Sequence, residues 1–211
     1  MINLYVYRHV TYDSFLLGFL YIINMDLMVS DKNVLINFIK DFVFILNKLN
    51  IKYIIVSGFV AISHGRSRGT EDIDIIIENL SKEKFVELND ELDKNGFETL
   101  QGVNGEELFE DYLEDKLSIR YVRKGEFLPE MELKMAQDEL DKDQLTNRTK
   151  LPLTGLDFYF STIETNLAFK EELLKSPKDL ADAKHLRIIY GDKINETEVE
   201  RIKKLIIKCR F

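Results

Sequence analysis

Short apolar strands alternating with amphipathic helices predict an α/β (α+β) protein: a small mixed β-sheet flanked by helices, with a C-terminal helical segment. Two observations carry this expectation. Lys52-Tyr-Ile-Ile-Val56 and Asp72-Ile-Asp-Ile-Ile-Ile77 are β-branched runs of strand length. Around them, apolar residues return every three or four positions, the period of a helix packed on a sheet.

In chain order, Ser30 and Asp31 supply an N-cap region for a helix reaching Leu49, with Val34, Leu35, Phe38, Ile39, Phe42, Ile45 and Leu46 as its apolar stripe. The first strand runs into Ser57-Gly58. Phe59 to His64 has helical spacing, and Gly65-Arg-Ser-Arg-Gly-Thr70 is a loop leading into the second strand. Ser81 caps a helix with Phe85, Leu88 and Leu92 on one face, and Asn95-Gly96 stops it. Phe97 to Leu100 is the next strand. The acid-rich stretch 101–116 reads as a solvated face rather than a second metal site. Segments 117–122 and 130–136 make a hairpin through Arg123-Lys-Gly-Glu126. Residues 137–150 are polar, a loop or a short helix. Helices are expected over 161–175, 178–190 and 196–208, with Pro177 at a helix start. The resulting organisation is an apolar extension over 1–29, a core over 30–150 and a helical segment over 151–211.

A length of 211 residues suits one main domain with a real core. Hydrophobic and charged contents of 45% and 31% fit a globular chain. A net charge of −8 argues against broad duplex DNA binding, although Arg66, Arg68, Lys170 and Lys178 can still form a local basic patch. The single Cys209 rules out an intrachain disulfide or a thiolate zinc cluster and points to a cytoplasmic location. Phe15 to Ile23 is strongly apolar, but nine residues are too few to span a bilayer, so no membrane role is expected. Arg8 precedes it as in a signal peptide, yet no small-residue cleavage pattern follows. The plainer readings are a buried element or an extension upstream of a start at Met25 or Met28.

The chemistry centres on Asp72 and Asp74. Side chains alternate along a strand, so the two carboxylates share one face while Ile73, Ile75 and Ile77 share the other. Neighbouring acids repel and lower strand propensity, and a divalent cation would account for the pair. Hard carboxylate oxygens suit Mg²⁺, which keeps positions for water and substrate phosphate. Upstream, a glycine after a strand permits a tight turn and close ligand approach. The helix start beyond it offers free N–H groups for phosphate. Arg66, Ser67, Arg68 and Thr70 add donors. A phosphate seat beside a metal-type acid pair is what phosphoryl and nucleotidyl transfer require.

Ser57-Gly58, a helix, His64-Gly65, Arg68, Thr70 and then Asp72-Ile-Asp74, with 13 residues between Gly58 and Asp72, resembles the signature of the DNA polymerase β-like nucleotidyltransferases. The likeness is best to minimal nucleotidyltransferases and AbiEii-type toxins. Downstream, Asn166-Leu-Ala-Phe-Lys170 and Pro177-Lys-Asp-Leu-Ala-Asp182 are similar to the late-helix lysine and Lys-Asp-x-x-Asp run of those toxins. The resemblance implies a polymerase β-like fold and transfer of a nucleoside monophosphate from an NTP. It places Mg²⁺ or Mn²⁺ on Asp72 and Asp74, and nucleotide on Ser57, Gly58, Arg66, Ser67, Arg68, Thr70, Lys170, Asp179 and Asp182. The implied acceptor is a hydroxyl of tRNA or protein, in a toxin–antitoxin setting with a cognate antitoxin. Two positions depart from the pattern. Ser57 stands where the family has glycine, and 117–122 carries Ser118 and Arg120 where a third acid is called for. Glu132 is the nearest alternating-strand acid that can replace it. Without a third acid, the alternative is a catalytically impaired nucleotide-binding or antitoxin-partner module of the same fold.

Overall fold

A computed structural model describes residues 33–67, 69–70 and 72–210. The apolar run 15–23, the Ser30-Asp31 cap, and Arg68 lie outside the described residues. Residues 33–48 are helical (α1), and the chain divides into two compact units, Met1–Asp41 and Phe42–Phe211. The second contains the sheet and everything described below.

Five strands form one mixed sheet: β1 (Tyr53–Ile55), β2 (Asp72–Ile77), β3 (Phe97–Thr99), β4 (Ile119–Arg123) and β5 (Glu130–Met135), in spatial order β1-β2-β5-β4-β3. β2 pairs with β5 in parallel, and every other pairing is antiparallel. The parallel pair needs a long crossover. It consists of α3 (Lys82–Lys94), β3, α4 (Gly105–Leu108, continued as a π-helical turn Phe109–Leu113) and β4. The register sets Asp72 opposite Glu130 and Asp74 opposite Glu132.

The expected alternation holds along β2. Ile73, Ile75 and Ile77 are buried on one face. On the other, Asp72 is exposed and Asp74 half-buried, while Ile76 packs with Ile54, Ala136 and Leu145. The acid-bearing face therefore turns apolar two residues beyond Asp74. Against the opposite side of the sheet, Phe42 meets Phe97 and Tyr121 edge-on at 5.2 and 5.5 Å.

Local signals set the helix ends as the residues predict. The Ser81 hydroxyl accepts from the Lys84 N–H, and α3 stops before Gly96 at φ 84°. Within the acid-rich stretch 101–116, residues 105–113 are helical, capped by Asn104. They bury Leu108, Phe109 and Leu113 and turn Glu106 and Glu110 out to Lys82. The polar segment after β5 contains α5 (Glu139–Thr146), capped by Asp138. Phe160 then bridges to Ile55, extending the β1 edge and delivering α6 (Ile163–Ala168) beside the acid face. α6 continues as a π-helical turn, Phe169–Leu174, closed by Lys175 at φ 53°. The long helices α7 (Pro177–Tyr190) and α8 (Glu196–Arg210) complete the unit. Among the described residues no helix is long and apolar enough to cross a membrane.

Candidate active site

Between β1 and α2 (Gly58–Ser63), the chain reverses at Ser57 with φ 63° and ψ −131°. Glycine adopts this conformation freely, whereas a residue with a Cβ is strained by about 1–3 kcal/mol. The Ser57 side chain does not cap α2. Its hydroxyl instead hydrogen-bonds the Asp74 carboxylate across the turn. Gly58 is buried as the first residue of the helix.

Asp74 faces Glu132 across the parallel pair, and Asp72 lies two residues back on the same face. Burial pushes the Asp74 carboxyl above its ordinary value. The Ser57 hydrogen bond opposes that shift, the charges of Asp72 and Glu132 add to it, and Lys134 pulls it back. Glu132 is held by the Ser118 hydroxyl at 2.9 Å and by Arg120 at 3.4 Å, and Arg120 also approaches Glu130 at 3.6 Å. The Thr70 hydroxyl reaches the Asp72 carboxylate at 2.8 Å and its main-chain oxygen at 3.0 Å.

Asp72, Asp74 and Glu132 are hard oxygen donors of the kind a Mg²⁺ or Mn²⁺ ion takes, and the like-charge strain on Asp74 is what a cation would relieve. Among the described residues, however, no group of three such side chains is already drawn together around one point. Asp72 is directed to Thr70, and Glu132 to Ser118 and Arg120.

A cavity of about 330 Å³ opens beside this face. Ser57, Asp74 and Glu132 line it together with Lys134, Gln144, Asn166, Phe169 and Lys170. Lys170 is 1% exposed. From the π-helical turn its ammonium reaches Asp182 at 3.1 Å and Asp179 at 3.4 Å. Asp182, fully buried, also accepts from Arg66 at 2.7 Å. His64 lies alongside, with Nδ1 2.7 Å from the Val60 carbonyl oxygen and Nε2 2.7 Å from the Tyr190 hydroxyl, as a packing histidine.

Of the residues singled out in the sequence, Ser57, Asp74, Glu132 and Lys170 meet at the cavity. Asp72 and Thr70 lie at the exposed start of β2, and Ser67 is exposed. Arg66, Asp179 and Asp182 engage Lys170 or one another rather than the cavity itself. Gln144, Asn166, Phe169, Lys134 and Arg210 line the cavity without having been picked out for a role. Leu140, Asp141, Gln144 and Leu145 are the residues that α5 buries, and a buried glutamine is unusual, but that burial follows from packing and left no signal in the sequence.

No protein-family model matches this sequence. No curated protein matches it either. Similarity appears among solved structures. ANT(2'')-Ia in complex with adenylyl-2''-tobramycin superposes with a TM-score of 0.51 at 14% identity, covering 83% of this chain and 98% of that one. A solution structure of the antibiotic-resistance factor ANT(2'')-Ia gives 0.49 at 12% identity, over 83% and 92% of the two chains. An antigenic nucleotidyltransferase-like protein from Paracoccidioides brasiliensis gives 0.43 at 20% identity, over 80% and 86%. With its five-stranded mixed sheet and flanking helices, this chain has the polymerase β-like nucleotidyltransferase fold.

Proposed function

We propose that this protein transfers a nucleoside monophosphate from an NTP to an acceptor hydroxyl, with pyrophosphate leaving. The observation that carries the reading is the Asp74–Glu132 register pair, which sets two carboxylates beside the Ser57 turn in a cavity that Lys170 also lines. Asp72 and Asp74, with Glu132 as a third donor, would hold Mg²⁺ or Mn²⁺. When bound, the ion neutralises phosphate charge and polarises the reacting oxygens. Ser57 and Gly58 shape the turn that cradles the phosphates, with Ser67, Arg68 and Thr70 as donors on the loop. Lys170 adds a positive charge whose position is set by Asp179 and Asp182, and Arg66 shares that anchor. The fold shared with ANT(2'')-Ia supports this reading.

On the resemblance to AbiEii-type proteins, the acceptor is a tRNA or protein hydroxyl in a toxin–antitoxin setting. ANT(2'')-Ia with its adenylyl-2''-tobramycin adds a small-molecule acceptor to the assay. A second reading has its own observation: Arg120 already occupies Glu132. On that reading the chain binds nucleotide without efficient transfer.

The test is incubation with each α-labelled NTP and Mg²⁺, in the presence of total tRNA, cellular protein or tobramycin. Labelled acceptor is expected from the wild type and only background label from Asp72→Ala and Asp74→Ala. Calorimetry run in parallel separates the readings. NTP binding without transfer supports the binding module, and no NTP binding at millimolar Mg²⁺ overturns both.

A further inference from the structure

Helix α5 buries four residues toward the unit's interior: Leu140, Asp141, Gln144 and Leu145. Three are accounted for by what they touch. Leu140 is fully buried and Leu145 joins the apolar cluster around Ile76. Asp141 accepts from the Gln137 N–H at 3.0 Å and from Arg210 at 3.3 Å, with Lys134 at 3.6 Å. Gln144 differs. It is 4% exposed, it lines the cavity, and its carboxamide has no hydrogen-bond partner among the described residues. Leaving a buried amide unpaired costs on the order of 1–3 kcal/mol, and a leucine or methionine of similar size would pack without that penalty.

Asn166 presents a related feature in the same cavity. It is 4% exposed. Its amino group donates to the Ser161 carbonyl at 3.3 Å, the Ser161 hydroxyl at 2.8 Å and the Thr162 carbonyl at 2.9 Å. These bonds fix which way the amide points and leave Oδ1 an acceptor without a partner among the described residues. Phe169 adds an apolar ring to the lining. The cavity thus combines a donor–acceptor amide, a second fixed acceptor and an aromatic surface with the carboxylates and Lys170. Its volume of about 330 Å³ falls within the range of small-molecule sites, roughly 300–1,000 Å³.

From these features we infer that Gln144 reads the nucleobase of the bound NTP, with Asn166 Oδ1 as a second acceptor. The inference rests on the nucleotide reading of the site given above. A carboxamide offers a donor and an acceptor side by side, and base edges present the complementary pair. Gln144 is thereby a specificity residue that takes no part in the transfer itself.

Calorimetric titration of the full chain with ATP, CTP, GTP and UTP in Mg²⁺ tests this, with inorganic tripolyphosphate as a base-free probe. The comparison is between wild type, Gln144→Leu and Gln144→Met, each checked for a thermal midpoint no lower than wild type. The wild type is expected to favour one or two of the four nucleotides. In both variants the favoured nucleotide loses roughly tenfold in affinity and the ranking flattens, while tripolyphosphate binding stays unchanged. Variants that keep the wild-type ranking and affinity overturn the inference alone, as does a wild type that binds all four equally. Variants that lose tripolyphosphate in step with NTP also overturn it, because Gln144 then serves the fold. A wild type that binds no NTP overturns the nucleotide reading and this inference with it.

Discussion

On the sheet side of the cavity, Asp72, Asp74 and Glu132 bring three carboxylates to one face, beside a serine held in a glycine conformation. On the helical side, Lys170, Asp182 and Arg66 alternate cation with anion, and the Asp182 carboxylate accepts from both bases. The first cluster is assembled against local preference, since like charges face each other and the backbone is strained. The second satisfies its own members at greater burial. Groups that a fold holds at a cost, next to a cavity, mark where a ligand is expected to complete the balance. Groups that complete one another mark the frame that holds the site in shape. Substitutions in the two clusters should therefore move stability in opposite directions.

The largest effect is expected on the helical side. Asp182→Ala removes the acceptor shared by Lys170 and Arg66 and leaves a buried ammonium with only Asp179. Unfolding in urea should show a loss of about 3–5 kcal/mol. A loss below about 1 kcal/mol would mean that the network is not the frame described here.

At the turn, Ser57→Ala and Ser57→Gly remove the same hydroxyl, but only glycine relieves the positive φ. Ser57→Gly is expected to be the more stable of the two by about 1 kcal/mol in matched denaturation curves. Equal stability would show that the turn relaxes without strain.

Asp74→Asn takes one carboxylate out of the like-charged cluster. In metal-free buffer it should raise stability by roughly 0.2–1 kcal/mol, the scale of a cross-strand pair. The sign follows from linkage. The folded Asp74 pKa is raised, so its ionisation disfavours the folded state above that value. The gain is therefore present at neutral pH and disappears as the pH falls through the Asp74 pKa toward the ordinary carboxylate value. A thermal midpoint that drops at neutral pH would contradict this account.

The smallest effect concerns Arg120, a half-exposed base resting on Glu132. Arg120→Gln is expected to tighten Mg²⁺ binding by up to about fivefold, as exposed ion pairs contribute little. Weaker Mg²⁺ binding in calorimetry would show that Arg120 supports the site instead of competing for it.

Much of the framework was legible because its signals are local. The Ser81 cap, the Gly96 stop, the Asp72–Ile77 alternation and Pro177 each act within a few residues, and each element formed where those signals lie. The position of Glu132 was not legible in that way. Its approach to Asp74 depends on a parallel pairing across an intervening crossover, and nothing within either strand specifies the partner or register. Lys170 was even harder to place. Its sequence surroundings fit a surface lysine equally well, and only the packing of α6 and α7 buries it between two aspartates. Gln144 lay in a polar segment that read as a loop or a short helix, and its burial became apparent only once α5 was seen against the sheet.

The residues in order were enough to establish an α/β architecture, the shared face of Asp72 and Asp74, and a tight turn at Ser57-Gly58, because backbone periodicity and steric limits operate over short stretches of chain. Which acid stands beside Asp74, which base is buried over Asp182, and which amide enters the cavity all follow from long-range packing. Those contacts are made by side chains remote in sequence, and their free energy exists only when the sheet and helices have closed around one core.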